Sequence, residues 1–133
     1  MRKILVFICL FSLFSTNLFA ECWGTEKKGR NGNTFCVSNQ NVANWYSAFA
    51  WCDAQGRRLA TINEVCDAEG VIFGGNSTGC QGNLRGEVIQ AGQSGWTASA
   101  IDASSAYKAS TLANSVAKVE TASKMTAARA ICY

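Results

Sequence analysis

Apolar and polar positions in the middle of the chain predict two consecutive helices. Four residues recur at helical spacing and define the apolar face of the first: Trp45, Ala48, Phe49 and Cys52. Asn41 or Asn44 can cap this helix, and Gly56 is suited to end it. Thr61-Ile62-Asn63-Glu64 has the pattern of a capping box, which opens a second helix that we expect to end at Gly70.

The segments before and after these helices have the pattern of strands. Residues 22–38 predict a hairpin, because apolar flanks surround a polar stretch that contains the turn dipeptide Asn31-Gly32. Later strands are expected at 95–99, 106–112, 116–120 and 127–133. The many Ala residues lower strand propensity there, so helix is an alternative for residues 110–130. The predicted class is α+β.

Residues 74–95 follow neither periodicity. Gly recurs among Asn, Ser, Thr and Gln, which predicts a long irregular loop of the kind that often carries binding residues. Five candidate ligand contacts lie in this loop or on the strand after it: Asn76, Asn83, Arg85, Tyr107 and Lys108. Tyr and Arg are favoured interface anchors. The alternative is that Tyr107 packs in the sheet and that Arg85 is only solvated.

Other aromatic and basic residues have simpler interpretations. The four tryptophans stand in periodic segments and are expected in the core: Trp23, Trp45, Trp51 and Trp96. Three basic residues of the first hairpin are expected at its solvated tip: Lys27, Lys28 and Arg30.

Residues 1–20 have the pattern of a signal peptide. Arg2 and Lys3 precede an apolar run, and Ala20 offers a small residue for cleavage. An uncleaved anchor is the alternative. We expect export to the periplasm, the cell surface or the medium, with no membrane span after cleavage and one domain over residues 21–133.

Composition excludes several classes of function. The 133 residues include no His, which removes the commonest general base and metal ligand, and no Pro. Without Arg2 and Lys3 the net charge falls from +3 to +1, so phosphate neutralisation by a basic surface has little support and no nucleic-acid partner is expected. Scattered acidic residues favour a protein that is not an enzyme.

The order of these elements resembles the C-type lectin-like fold, in its compact bacterial form. The specific match is Trp45-Tyr46-Ser47-Ala48-Phe49-Ala50-Trp51-Cys52, followed by Gly56 and by Leu59-Ala60-Thr61-Ile62. Trp96-Thr97 and Ala130-Ile131-Cys132 are similar to the family's core and closing strands. The resemblance implies two helices packed on a small, mostly antiparallel sheet with a long irregular loop, stapled by disulfides.

Six cysteines remain after the leader, and they permit fifteen pairings. Cys22 and Cys36 flank the predicted hairpin, which suits a bond between them. The resemblance implies Cys52–Cys132, between the first helix and the last strand, and Cys22–Cys36 as the bridge of the family's long form. Cys66–Cys80 is the remaining pair, and it departs from the family's usual second bridge.

The chain also departs from the sugar-binding members of this family. Their calcium site uses a Pro-containing loop motif and a Trp-Asn-Asp strand motif, and neither is present. Glu87 is the one carboxylate between residues 74 and 95, whereas calcium needs several oxygen ligands. We therefore expect no metal and no cofactor.

Two functions fit these observations. An exported, adhesin-like binding module would present its loop to an extracellular or envelope protein or glycan at the cell surface. The alternative is a small pilus or envelope assembly subunit with a structural role, in which an exposed sheet edge pairs with another chain.

Overall fold

The computed structural model describes residues 20–29, 32–66, 88–111 and 117–133. This part of the chain contains two helices and six strands, which confirms the α+β class. In chain order they are β1 (Thr25–Lys28), β2 (Thr34–Val37), α1 (Trp45–Asp53), α2 (Ile62–Cys66), β3 (Ser94–Ala100), β4 (Ser105–Thr111), β5 (Ala117–Ser123) and β6 (Arg129–Cys132).

The six strands form one mixed sheet in the order β1-β2-β6-β3-β4-β5. The last strand lies at its centre, antiparallel to β2 and parallel to β3, and the other neighbours are antiparallel. The N-terminal hairpin is confirmed, with Thr25 opposite Val37 and Lys28 opposite Thr34.

The strand interpretation of the Ala-rich C-terminal half is confirmed, and the helical alternative is wrong for its described residues. β4 and β5 pair over their full lengths, from Ser105 opposite Ser123 to Thr111 opposite Ala117. Burial of Ala109 and Val119 against one core cluster outweighs the low strand propensity of Ala.

Both helices begin as their sequences predict. Asn44, rather than Asn41, caps α1, and its Oδ1 accepts a hydrogen bond of 2.9 Å from the Ser47 amide. Gly56 follows α1 with a φ of 69°, a left-handed conformation that glycine adopts without strain. At α2 the Thr61 amide donates to Glu64 Oε2 at 2.8 Å, and the Glu64 amide donates to Thr61 Oγ1 at 3.3 Å. The predicted end of this helix at Gly70 lies outside the described residues.

Apolar side chains form one cluster on each face of the sheet. The Phe35 cluster joins strand residues to α2 and to the buried Val88 and Ile89. The Trp96 cluster joins the other face to α1 through Ala48 and Cys52. The expectation of a core position is right for the fully buried Trp96, whereas Trp45 and Trp51 are only partly buried.

The expectation for Trp23 is wrong. Its side chain is 56% exposed, because β1 begins at Thr25 and Trp23 precedes the strand that would have carried it against the core.

Two predicted disulfides are confirmed, Cys22–Cys36 and Cys52–Cys132. Cys66 is disulfide-bonded, whereas Cys80, its expected partner, lies outside the described residues. Disulfides of this kind are typical of proteins that fold in an oxidising environment. In the described ranges, neither helix has the length and apolarity needed to cross a membrane. The expected signal peptide lies outside these ranges, except for Ala20.

Candidate functional site

A polar cleft opens on the face of the sheet that carries the Phe35 cluster, between the N-terminal hairpin and residues 88–93. Its volume is about 140 Å³. Nine of the described residues line it: Thr25, Lys27, Val37, Ser38, Asn39, Val88, Gln90, Gln93 and Arg129. Seven of these nine side chains are polar or charged, so the cleft is a hydrogen-bonding surface with a small apolar floor.

The floor of the polar cleft follows from strand alternation. Thr25 and Lys27 lie on one face of β1, opposite Val37 and Phe35 of β2. Glu26 lies on the other face, where its carboxylate is 3.3 Å from Arg57. Alternation therefore places the cation of Lys27 in the cleft and removes the neighbouring carboxylate from it.

The opposite wall is the segment from Val88 to Gln93, which backbone hydrogen bonds attach to the end of β4. The Gly92 amide donates to Thr111 O at 2.6 Å, and the Thr111 amide donates to Gln93 O at 3.1 Å. Gly92 has a φ of 79°, which lets the chain turn here without strain. This turn presents the amide side chains of Gln90 and Gln93, whose Oε1 and Nε2 atoms are 3.4 Å apart.

Arg129 enters the polar cleft from β6. Its Nη1 donates to Ser38 O at 2.9 Å, which fixes the guanidinium against the turn after β2. Ser38 is itself held, because its Oγ donates to Gln40 O at 2.6 Å and accepts from the Ala130 amide at 2.9 Å. The Nε of Arg129 is buried and has no hydrogen-bond partner within the described part of the chain.

The positive charge of the polar cleft has no ion-pair partner among the described residues. The ion pairs of that part of the chain use four other cations: Arg57, Arg58, Lys108 and Lys118. None of the described residues that line the cleft is Asp or Glu. A partly buried cation usually has an anionic partner, so the pair of Lys27 and Arg129 marks a place where an anion would be stabilised.

Two of the five predicted ligand contacts lie in the described part of the chain. Asn76, Asn83 and Arg85 are outside the described residues. Tyr107 and Lys108 are described, but as neighbours on β4 they lie on opposite faces of the sheet. Neither of them lines the polar cleft.

Tyr107 and Lys108 each contact other side chains of the protein. Tyr107 packs against the Phe35 cluster. Lys108 is only 9% exposed, and its Nζ lies 3.4 Å from Ser94 Oγ, 3.9 Å from Glu120 Oε2 and 5.7 Å from the centre of the Trp96 ring. The structure therefore does not bring Tyr107 and Lys108 together in one surface.

Two cleft residues had signals in the sequence that the prediction missed. Lys27 does not lie at the solvated hairpin tip that its sequence context predicts, because its alternation with Thr25 places it on the inner face of β1. Arg129 is the one charged residue in the apolar closing segment 127–133, an uncommon position for an unpaired charge. Gln90 and Gln93 carry no distinctive pattern, and only the fold places them beside Arg129.

In the described ranges, no three His, Cys, Asp or Glu residues lie close enough together to hold a metal ion. No protein-family model, curated protein or solved structure matches this chain. The geometry of the polar cleft is therefore the main guide to function.

Proposed function

We propose that the chain is an exported C-type lectin-like binding module, adhesin-like in role, that recognises a protein or glycan at the cell surface without calcium. The observation that carries this proposal is the polar cleft, in which Lys27 and Arg129 have no carboxylate partner among the described residues. Amides and hydroxyls around two cations are groups that recognise a polar partner.

The arrangement of elements supports the family part of this proposal. A hairpin, two helices and a set of strands follow in the expected order, and a disulfide joins the first helix to the last strand. The sheet is mostly antiparallel, as the resemblance implies.

The rigidity of the polar cleft supports a binding role. Cys22–Cys36 attaches the segment before β1 to β2, and β2 pairs with β6 through Cys36 and Val37. The walls are thus held by covalent and backbone bonds. A site that is already ordered loses little conformational entropy when its ligand binds, and more of the contact energy appears as affinity.

A direct test compares wild type with Arg129→Gln on arrays of glycans and of host surface proteins. We expect wild type to bind a discrete set of ligands and Arg129→Gln to lose them, because the substitution removes the charge fixed by Ser38. Lys28→Gln is the matched control, since Lys28 is exposed and lies on the opposite face of β1 from Lys27. Ligands retained equally by all three proteins would contradict the assignment of the cleft.

The sheet edges bear on the alternative, a pilus or envelope assembly subunit. In the described sheet β1 and β5 are the edge strands, and each carries Lys and Glu: Lys27, Lys28 and Glu26 on β1, and Lys118 and Glu120 on β5. Charged side chains on edge strands oppose pairing with another chain. This feature favours the binding module over assembly by strand addition.

A further inference from the structure

We infer that the ligand of the polar cleft is an acidic saccharide, recognised through one sugar unit that bears an anionic group, a carboxylate or a sulfate. This inference rests on the proposed binding function and specifies the chemistry of the partner. Three observations lead to it: the charge of the cleft, the hydrogen-bonding groups around that charge and the volume.

The two positive charges of the polar cleft favour an anionic ligand. Arg129 is partly buried, and its guanidinium bonds to a neutral acceptor, the carbonyl of Ser38. Lys27 adds a second positive charge, and the described lining residues include no Asp or Glu to compensate either of them. A guanidinium forms its strongest hydrogen bonds to carboxylate, phosphate and similar planar or multidentate anions.

The uncharged polar residues that line the cleft suit a ligand that carries hydroxyl groups. Gln90, Gln93 and Asn39 contribute side-chain amides, which both donate and accept, as sugar hydroxyls do. Thr25 Oγ1 and Asn39 Oδ1 already form a pair at 2.6 Å, which orients this part of the wall. Among the described lining residues only Val37 and Val88 are apolar, so this surface has little to offer the apolar side chains of a peptide.

The volume limits the size of the recognised group. A cleft of about 140 Å³ is well below the range of roughly 300–1,000 Å³ that encloses a drug-sized ligand. One sugar unit with its charged group fits this scale better than a folded peptide motif does, and the rest of a longer glycan would extend into solvent.

The test is an NMR titration of the purified, disulfide-bonded protein with four probes: glucuronate, glucose 6-sulfate, glucose, and N-acetyl-glutamate amide as a carboxylate without a sugar. We expect one of the two anionic sugars to bind at least about tenfold more tightly than glucose and than the amino-acid probe. The preferred anion distinguishes a carboxylate-bearing from a sulfated saccharide. Raising NaCl from about 50 to about 500 mM should weaken that binding several-fold.

Substitutions of Arg129 and Lys27 show which residues cause the preference for the anionic sugar over glucose. Arg129→Gln should bring the anionic sugar to within about twofold of glucose, and Arg129→Lys should restore part of the difference, because it keeps the charge but loses the planar fork. Lys27→Gln gives a second measurement if Arg129→Gln does not fold, and should also reduce the preference. Glucose binding as tightly as both anionic sugars, or a preference unchanged in these variants, would overturn the inference.

The outcomes also separate this inference from the proposed function. If array ligands require Arg129 but are neutral glycans or proteins, the binding module stands and the acidic saccharide is wrong. If N-acetyl-glutamate amide binds as tightly as the preferred sugar, the cleft recognises an acidic peptide and the saccharide is again wrong. If no array ligand requires Arg129 and no sugar binds in the titration, both proposals are contradicted.

Discussion

Cys52 in α1 and Cys132 in β6 are bonded although 80 positions separate them in the sequence. The same strand that ends in this bond begins at Arg129, in the polar cleft. The disulfide thus fixes the central strand of the sheet to the helix on one face, while the other face of that strand presents the cation of the proposed site.

The two described disulfides should contribute unequally to stability. In the chain-entropy treatment, closure of the 80-residue separation is worth about 4.5 kcal/mol and closure of the 14-residue separation about 3 kcal/mol. We expect Cys52→Ala/Cys132→Ala to lower the free energy of unfolding more than Cys22→Ala/Cys36→Ala does. Urea unfolding of the two double variants measures this order, and the reverse order would contradict the chain-closure argument.

Trp96 and Trp23 should differ in how much they contribute to the stability of the protein. Trp96 is fully buried, and its Nε1 donates to Thr126 O at 3.0 Å, so Trp96→Ala should cost about 3–5 kcal/mol through the cavity and the lost hydrogen bond. Trp23→Ala should change stability by no more than about 0.5 kcal/mol, because the side chain is exposed. Equal losses in urea unfolding would show that Trp23 is packed.

The stability of α2 should depend on pH through Glu64. The hydrogen bond from Arg58 is the largest cause that lowers the pKa of Glu64 below its usual value, and the Thr61 amide adds to this effect. A carboxyl group whose pKa is lower in the folded protein stabilises it above its unfolded pKa, and this contribution disappears as pH falls through the folded value.

Glu64→Gln isolates this charge effect, since Gln can keep the capping box. At neutral pH the variant should be less stable by at most about 1 kcal/mol, because the Arg58 partner is about half exposed and solvent screens the pair. The difference should shrink as pH falls below the ordinary Glu pKa of about 4.3 and then through the lower pKa of the folded protein. Thermal unfolding of both proteins from pH 7 to pH 3 measures it, and a difference that grows on acidification contradicts the assignment.

Chelation should leave the protein unchanged. Within the part of the chain that the structure describes, no carboxylate lines the polar cleft and no three metal-ligating side chains cluster. We expect EDTA to alter neither the melting temperature nor the binding of any array ligand. A large fall in either quantity, restored by calcium, would contradict the calcium-independent proposal.

Local signals in the sequence predicted most of the described fold. The capping box at Thr61 and Glu64, the cap at Asn44 and the turn at Gly56 act over a few residues, and each of them is present. The Ala-rich half left strand and helix open, because Ala has weak strand propensity and only the packing of Val119 and its neighbours selects the strand.

The candidate site was harder to predict because it depends on contacts between distant segments. Arg129 meets Ser38 across 91 positions, and the sheet places β6 between β2 and β3, with Gln90 and Gln93 in the same cleft as Lys27. A short-range pattern cannot encode that strand order. The predicted contacts Tyr107 and Lys108 were placed on the correct strand, but alternation separates them onto two faces.

Adjacent residues on β1 provide the most direct test of the polar cleft as the binding surface. Lys27 lines the cleft, whereas Lys28 lies on the opposite face, and substituting either one by Gln removes the same charge from the same strand. The decisive measurement is the affinity of Lys27→Gln and Lys28→Gln, by surface plasmon resonance, for the strongest array ligand. We expect a loss of about tenfold for Lys27→Gln and no change for Lys28→Gln. Equal affinities, or a larger loss for Lys28→Gln, would contradict the assignment of the polar cleft as the binding surface.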